Sequence, residues 1–237
     1  VGFNAEGVDV MRFLSLLLLI VWALVSIFVV SPVYCGTDER MALLPPSIDT
    51  TMSLEEALSK RQSTKAFLEE PVMKRSLSQL LWSAAGVNRK SEGKRTHPSA
   101  MAKYSVSVYV CDSQFVSEYL PISHSLRRVG PSTIEGVDVR QILSSKDYAH
   151  KAPVQLVFVG DISALPANFP SDLRWNWVYC EVGTMIENVH LQCAALGLGT
   201  AVNAGFSDEV ARKYLKLEET RKVLFILPVG HPDRSQQ

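Results

Sequence analysis

The amino-acid sequence predicts an α+β fold, and three observations carry that reading. From Trp175 to Gly197, Val178, Val182, Met185, Ile186, Val189, Cys193 and Leu196 recur at helical spacing. Leu191, Ala194 and Ala195 add apolar surface beyond that stripe, as a long central helix requires. Apolar runs of strand length stand apart from it at Tyr104–Val110, Val154–Val159 and Lys222–Val229. Helices and strands interleave around these few long strands, the pattern of α+β rather than of either class alone.

The N-terminus comes first in chain order. Phe13–Thr37 contains no charged residue, and Phe13–Val30 as a helix spans roughly 27 Å, the thickness of bilayer hydrocarbon. It follows Met11-Arg12, so residues 1–10 read as sequence upstream of a start at Met11, and residues 11–36 as a signal peptide or an uncleaved N-terminal membrane anchor. Membrane association through residues 13–30 and an extracytoplasmic (periplasmic or secreted) or membrane-anchored location follow, with Arg12 inside and Asp38-Glu39 outside. Tyr34 sits where a lipobox before Cys35 wants a small residue. A buried core helix is the remaining alternative for the run. Residues 37–52, with Pro45-Pro46, read as a linker or arm before a domain spanning 53–237.

Ser53-Leu54-Glu55-Glu56 is a capping box opening a short helix to about Arg61. Leu77, Leu80, Leu81, Ala84 and Ala85 form one face of a second helix, Ser76–Ala85, with Gly86 as its stop. Asn88–Pro98 reads as a polar loop. Residues 112–150 have weak periodicity and are expected to hold much of a pocket wall. Beyond the long helix, Thr200–Val202 reads as a short strand, and Ser207 as the cap of a further helix.

Several function classes find no support. The chain carries 24 basic and 24 acidic residues, a balance that argues against a nucleic-acid binder. Four cysteines in 237 residues do not make a disulfide scaffold. Neither a G-x-S-x-G elbow, nor H-E-x-x-H, nor a Walker A loop is present. Gly197-Leu198-Gly199 follows a helix and reads as its stop, not as a dinucleotide fingerprint. His190 and Cys193 are three apart on one helix but lack supporting metal ligands, so no metal is expected. The five histidines are dispersed, and no catalytic acid–base or nucleophilic set emerges.

What remains is anion-binding potential in Lys60-Arg61-Gln62-Ser63-Thr64-Lys65-Ala66-Phe67. In an extended segment Arg61, Ser63 and Lys65 fall on one side, two cations and a hydroxyl suited to a phosphate and a second polar group. A solvated basic helix end is the bland alternative.

This segment resembles the N-terminal flavin signature of the FMN-dependent nitroreductase superfamily. Leu77–Val87 followed by Arg95-Thr96-His97-Pro98-Ser99-Ala100 resembles its streptolysin-type peptide-azoline dehydrogenase branch. So does Glu181-Val182-Gly183 running through Asn188 and Leu191 to Ala194–Gly199. Gly205-Phe206 and Pro228–Pro232 resemble the family's closing loop and last strand. The resemblance covers about residues 50–232. It implies a nitroreductase-like sandwich, a mixed, mainly antiparallel sheet flanked by helices, and a homodimer with FMN at the subunit interface. By the same resemblance Arg61 and Ser63 hold the FMN phosphate and Lys65 faces the flavin pyrimidine edge. Pro98, Ser99 and Ala100 lie beside the ring system, Ser99 offering its hydroxyl and backbone. Ala204 and Gly205 present backbone N–H groups near N5 and O4. Arg95 and, more weakly, Arg234 are further anion partners.

The implied activity is two-electron transfer by a ping-pong mechanism from a reduced donor, NAD(P)H, to an organic acceptor such as a nitro compound or quinone. The alternatives are a peptide azoline dehydrogenase and a non-catalytic, membrane-tethered flavin-fold module. Gln62 stands where the signature has a second Arg. The loop Val202–Phe206 lacks the acidic residue that some family members carry beside the flavin.

Overall fold

The computed structural model describes residues 39–49, 52–134, 136–143 and 146–236. The readings of residues 1–36 as upstream sequence, signal peptide or anchor lie outside the described residues. No helix among the described residues is long and apolar enough to cross a membrane.

The chain enters through β1 (Arg40–Ala42), α1 (Leu54–Lys60) and α2 (Lys74–Ala85). Ser53 accepts a hydrogen bond from Glu56 N at 3.1 Å and so caps the helix as the sequence predicts, while the Glu56 carboxylate accepts from Lys60 Nζ at 2.6 Å. Helix α2 begins two residues earlier than the expected Ser76 and stops at Gly86. That glycine is extended rather than left-handed, and a Cβ there would meet Trp82 Cδ1 at 2.2 Å. Close approach, not a left-handed turn, is what requires glycine at this stop. Asn88–Pro98, expected as a loop, includes a small hairpin of β2 (Val87–Arg89) and β3 (Lys94–Arg95) around Gly93, φ 66°. Its outward-facing Lys and Arg side chains hid the strand pattern.

Next come β4 (Val106–Cys111), β5 (Phe115–Leu120), β6 (Ser125–Pro131), β7 (Thr133–Ile134) and β8 (Val137–Asp138). Two short helices follow, α3 (Val139–Leu143) and α4 (Asp147–Lys151), then β9 (Val154–Asp161) and α5 (Ser171–Leu196). The chain ends through β10 (Gly199–Thr200), α6 (Asp208–Leu215), capped by Ser207, and β11 (Arg221–Gly230). The strand expected at Thr200–Val202 is thus shorter and starts one residue earlier.

One seven-stranded sheet runs in the order β1-β6-β5-β4-β9-β11-β10, and each of its ladders is antiparallel. A parallel bridge joins Ser63 to Thr200 at its β10 edge. Strand β9 is buried on both faces, which explains its apolar run, interrupted only by Gln155, whose amide donates to Arg140 O and Ala149 O. Leu156 and Phe158 pack with Val182, Met185 and Val189 of α5 and with Leu80 and Leu81 of α2. Val157 and Val159 face the opposite way, into a second core with Ala211 and Leu215 of α6. The sheet therefore lies between two helical layers, the α+β sandwich that the sequence predicts.

Helix α5 is the axis on which the rest is hung. Its 26 residues extend roughly 39 Å. It begins four residues before Trp175, where polar Ser171 and Asp172 give no apolar signal. It stops at Gly197, whose φ of 69° is the left-handed turn that favours glycine.

Candidate functional site

Three chain segments converge beside the C-terminal end of α5. Helix α1 releases the chain at Arg61, whose N–H still donates to Ala57 O at 2.9 Å, and the backbone then extends. Thr64 N donates to Thr200 O at 2.9 Å, next to the Ser63–Thr200 bridge. Phe67 is buried and bridges Pro232, while Asp233 N donates to Ala66 O. The segment is thereby stitched to both β10 and the chain beyond β11. Thr64 is buried between exposed Ser63 and Lys65, as alternation requires. Its side chain occupies the space a Cβ on Gly199 would need, 2.5 Å from Oγ1. Gly199 is therefore a close-approach glycine that lets the segment lie against β10.

Beside this junction is a cavity of about 700 Å3. Lys60, Gln62 and Thr64 line it from one side, His190 and Cys193 of α5 from another, and Arg234 from the C-terminal turn. Among the described residues no carboxylate lines it. His190 is 4% exposed, and neither ring nitrogen has a hydrogen-bond partner among the described residues. Burial and then the nearby positive charge of Arg61 hold its pKa below the ordinary imidazole value. Burial pushes the Cys193 thiol far up, so it stays protonated. No third histidine, cysteine, aspartate or glutamate joins His190 and Cys193 as a metal cluster among the described residues.

A second group gathers around Glu181, nine residues earlier on α5 and so about 14 Å along the axis. This carboxylate is 2% exposed. Its Oε2 accepts from Ser99 Oγ at 2.6 Å, Ser105 Oγ at 3.0 Å and Ser105 N at 3.3 Å, and its Oε1 from Val106 N at 3.3 Å. His97 Nε2 lies 3.4 Å from Oε1. Burial alone would raise the carboxyl pKa; His97, Ser99 and Ser105 more than offset it, leaving the pKa below the usual value. Met101, Ala102 and Tyr104 all have φ near 52°, a left-handed run that side-chain-bearing residues rarely adopt. Glu181 ties down both ends of this strained turn.

The sequence-predicted residues divide between these places. Arg61, Ser63 and Lys65 lie in the first junction but are not among the residues lining the cavity, which takes Lys60, Gln62 and Thr64 from that segment and Arg234 from the C-terminal turn. Pro98, Ser99 and Ala100 belong to the Glu181 group. The Ser99 hydroxyl proton is already given to Glu181, and its oxygen accepts from Tyr104 N at 2.7 Å, so the hydroxyl expected to face a ligand is committed inward. Arg95 lies with Tyr104, its guanidinium 4.2 Å from the ring centroid, away from the cavity lining. Burial lowers its pKa, opposed by the charge of Glu181. Asn203 is buried and exchanges backbone hydrogen bonds with Ile226, and its Oδ1 accepts from Gly205 N at 2.8 Å. The Gly205 N–H expected to face a ligand therefore already has a partner, and Ala204 beside it is exposed. None of the described residues of 112–150 lines this cavity, because β5 and β6 sit toward the opposite edge of the sheet; Asp112, Phe115, Leu126 and Arg128 instead line a separate cavity of about 580 Å3.

In the sequence His190 stands out only as half of an unsupported metal pair and Glu181 only within a family-like motif, although one signal for Glu181 is present. An acidic residue three after Val178 and four before Met185 falls on the buried stripe and needs partners there.

The Nitroreductase family model matches residues 58–231. A nitroreductase-type protein of Methanocaldococcus jannaschii, MJ1384, is 30% identical over 198 residues, 81% of this chain and 97% of that protein. The crystal structure of a nitroreductase-type protein from Ralstonia eutropha shares 31% identity at a TM-score of 0.75, covering 84% of this chain and 92% of that one. A chain of the Escherichia coli microcin synthetase McbBCD complex, with truncated pro-MccB17 bound, shares the fold at 20% identity and a TM-score of 0.65, over 87% of this chain and 83% of that one. With most of its length matched by the family model, and by relatives at 30% identity or more, this chain belongs to the nitroreductase family.

Proposed function

We propose that this protein is an FMN-dependent oxidoreductase that carries two electrons from a reduced donor, NAD(P)H in the first instance, to a nitro compound or quinone. The observation that carries this reading is the cavity at the Lys60–Phe67 junction, with Lys60 and Arg234 in its lining, Arg61 alongside, and no carboxylate facing it. A buried imidazole without a partner and a carboxylate-free, cationic wall fit a phosphate ester. Family membership supplies the chemical class.

Bound FMN would supply the redox chemistry, accepting a hydride equivalent from the donor and passing it on to the acceptor. The chain's residues bind and orient. Arg61 and Ser63 are assigned to the phosphate, and Lys65 to the pyrimidine edge, where a cation stabilises negative charge on the reduced ring. Pro98–Ala100 and Ala204–Gly205 are assigned to the ring system as backbone walls. The Glu181 group stands about 14 Å along α5 from His190. A homodimer with the site at the subunit interface is the assembly that family membership favours. The leader-like run at residues 13–30 supports an extracytoplasmic or membrane-anchored location, and a quinone is then an acceptor within reach.

Steady-state rates at several fixed acceptor concentrations test the mechanism. Parallel double-reciprocal lines against donor are expected; intersecting lines would show that donor and acceptor must be bound together. A second reading, dehydrogenation of a peptide azoline, has in its favour the Arg95–Ala100 motif and the fold shared with a microcin synthetase chain. Oxidation of an azoline-containing peptide, with no turnover of nitro or quinone acceptors, would select it.

A further inference from the structure

We propose that His190 is a phosphate-binding residue of this site, contributing an imidazole N–H from α5 to the anionic tail of the cofactor. The inference rests on the FMN reading above and adds to it a residue outside the Lys60–Phe67 segment. Four observations converge on it. The ring is 4% exposed yet lines a cavity of about 700 Å3. Neither nitrogen has a partner among the described residues. A buried polar group left so forgoes a hydrogen bond that a ligand oxygen would restore. Among the described residues the charged groups that line the cavity with it are cations, Lys60 at the end of α1 and Arg234 in the C-terminal turn, and the charge of Arg61 acts on the ring although Arg61 is not in the lining. Lys60 also pairs with Glu56 at 2.6 Å. Cys193, the remaining titratable group on the wall, is held as a neutral thiol by burial.

A neutral imidazole surrounded by cations is poorly placed to hold a metal ion or an ammonium group. It is well placed for a dianion. Without ligand, burial and the Arg61 charge favour the neutral ring. A phosphate dianion beside it favours the imidazolium and raises the pKa in the complex. Binding then takes up a proton, so affinity is greater at lower pH and falls as pH rises through the pKa of the complex. Riboflavin, which has the same ring system without the phosphate, lacks this dependence.

The test is fluorescence titration of the apoprotein with FMN and with riboflavin at several pH values from about 6.5 to 8.5, that is, from the ordinary histidine pKa upward, where the raised pKa of the complex is expected. His190→Leu removes both nitrogens at similar volume; His190→Gln keeps a donor that does not titrate. FMN affinity in His190→Leu is expected to fall about tenfold, the loss of roughly one charge-assisted hydrogen bond, with riboflavin affinity unchanged. His190→Gln is expected to recover most FMN affinity and to lose the histidine-dependent part of the pH response. Equal weakening of FMN and riboflavin, or an FMN affinity indifferent to both substitutions, would overturn the assignment while leaving the cofactor reading intact. Wild-type protein that binds neither flavin would overturn both.

Discussion

Replacing Glu181 by glutamine changes one atom of the side chain and reverses its role toward its neighbours. The carboxylate faces donors alone: Ser99 Oγ, Ser105 Oγ, Ser105 N and Val106 N, at 2.6–3.3 Å. A glutamine places an NH2 group against at least one of them. If it faces Val106 N, one backbone donor is orphaned. If it faces the two serines, up to three bonds are disturbed, although the hydroxyls can rotate. Each buried donor left unpaired costs about 1–3 kcal/mol, and exchange of a charged acceptor for a neutral one weakens the rest. The expected loss is about 2–4 kcal/mol, or a Tm decrease of roughly 5–15 °C for a domain of this size. Urea unfolding followed by circular dichroism gives the free energy directly. The turn at Met101–Tyr104 is expected to become the first protease-sensitive segment, because its left-handed backbone is held from both ends by this carboxylate. A loss below about 1 kcal/mol, with that turn still protected, would refute the view that Glu181 clamps it.

Three other outcomes follow from the same structure. Glu181 has a pKa below its unfolded value, so its contribution is present above the ordinary carboxylate pKa and is lost as pH falls through the folded one. Wild-type stability should therefore fall with acidification below about pH 4.5 more steeply than that of Glu181→Gln, measured by urea midpoints across the range. Gly199→Ala puts a Cβ 2.5 Å from Thr64 Oγ1, forcing the Lys60–Phe67 segment off β10. It should cost about 1–3 kcal/mol and weaken FMN retention on gel filtration; full retention would contradict the proposed role of that junction. Lys65→Ala should slow flavin reduction at least tenfold, or about 1.4 kcal/mol in the barrier, with the fold intact by circular dichroism; an unchanged rate in anaerobic stopped-flow would remove Lys65 from the ring edge.

The fold was legible where burial is one-sided or complete. The stripe Val178–Cys193 marked α5, and the largely apolar run at Val154–Val159 marked the doubly buried β9, because both patterns follow directly from packing. Residues 112–150 stayed opaque for a physical reason. Strands β5 and β6 lie near a sheet edge, Glu118 is buried against Arg127, and the register shifts between Val116 and Ser117. Polar pairing and a bulge break the alternation that betrays a strand. Ser53, Ser207 and Gly197 were readable as caps and a stop because their roles are local. Glu181 was not readable as a clamp, since its partners lie 75–82 residues away. The same holds for His190, whose significance comes from the absence of a partner in a cavity built from three distant segments.

The central claim concerns what the cation-lined cavity holds. The most direct measurement is the visible spectrum of the purified, FMN-reconstituted protein, followed anaerobically through one addition of NADH and then one of a quinone or nitro acceptor. The account predicts one tightly bound flavin per chain, bleached by the first addition and restored by the second. A protein that retains no flavin after desalting, or binds it without bleaching by any reduced donor, would contradict it.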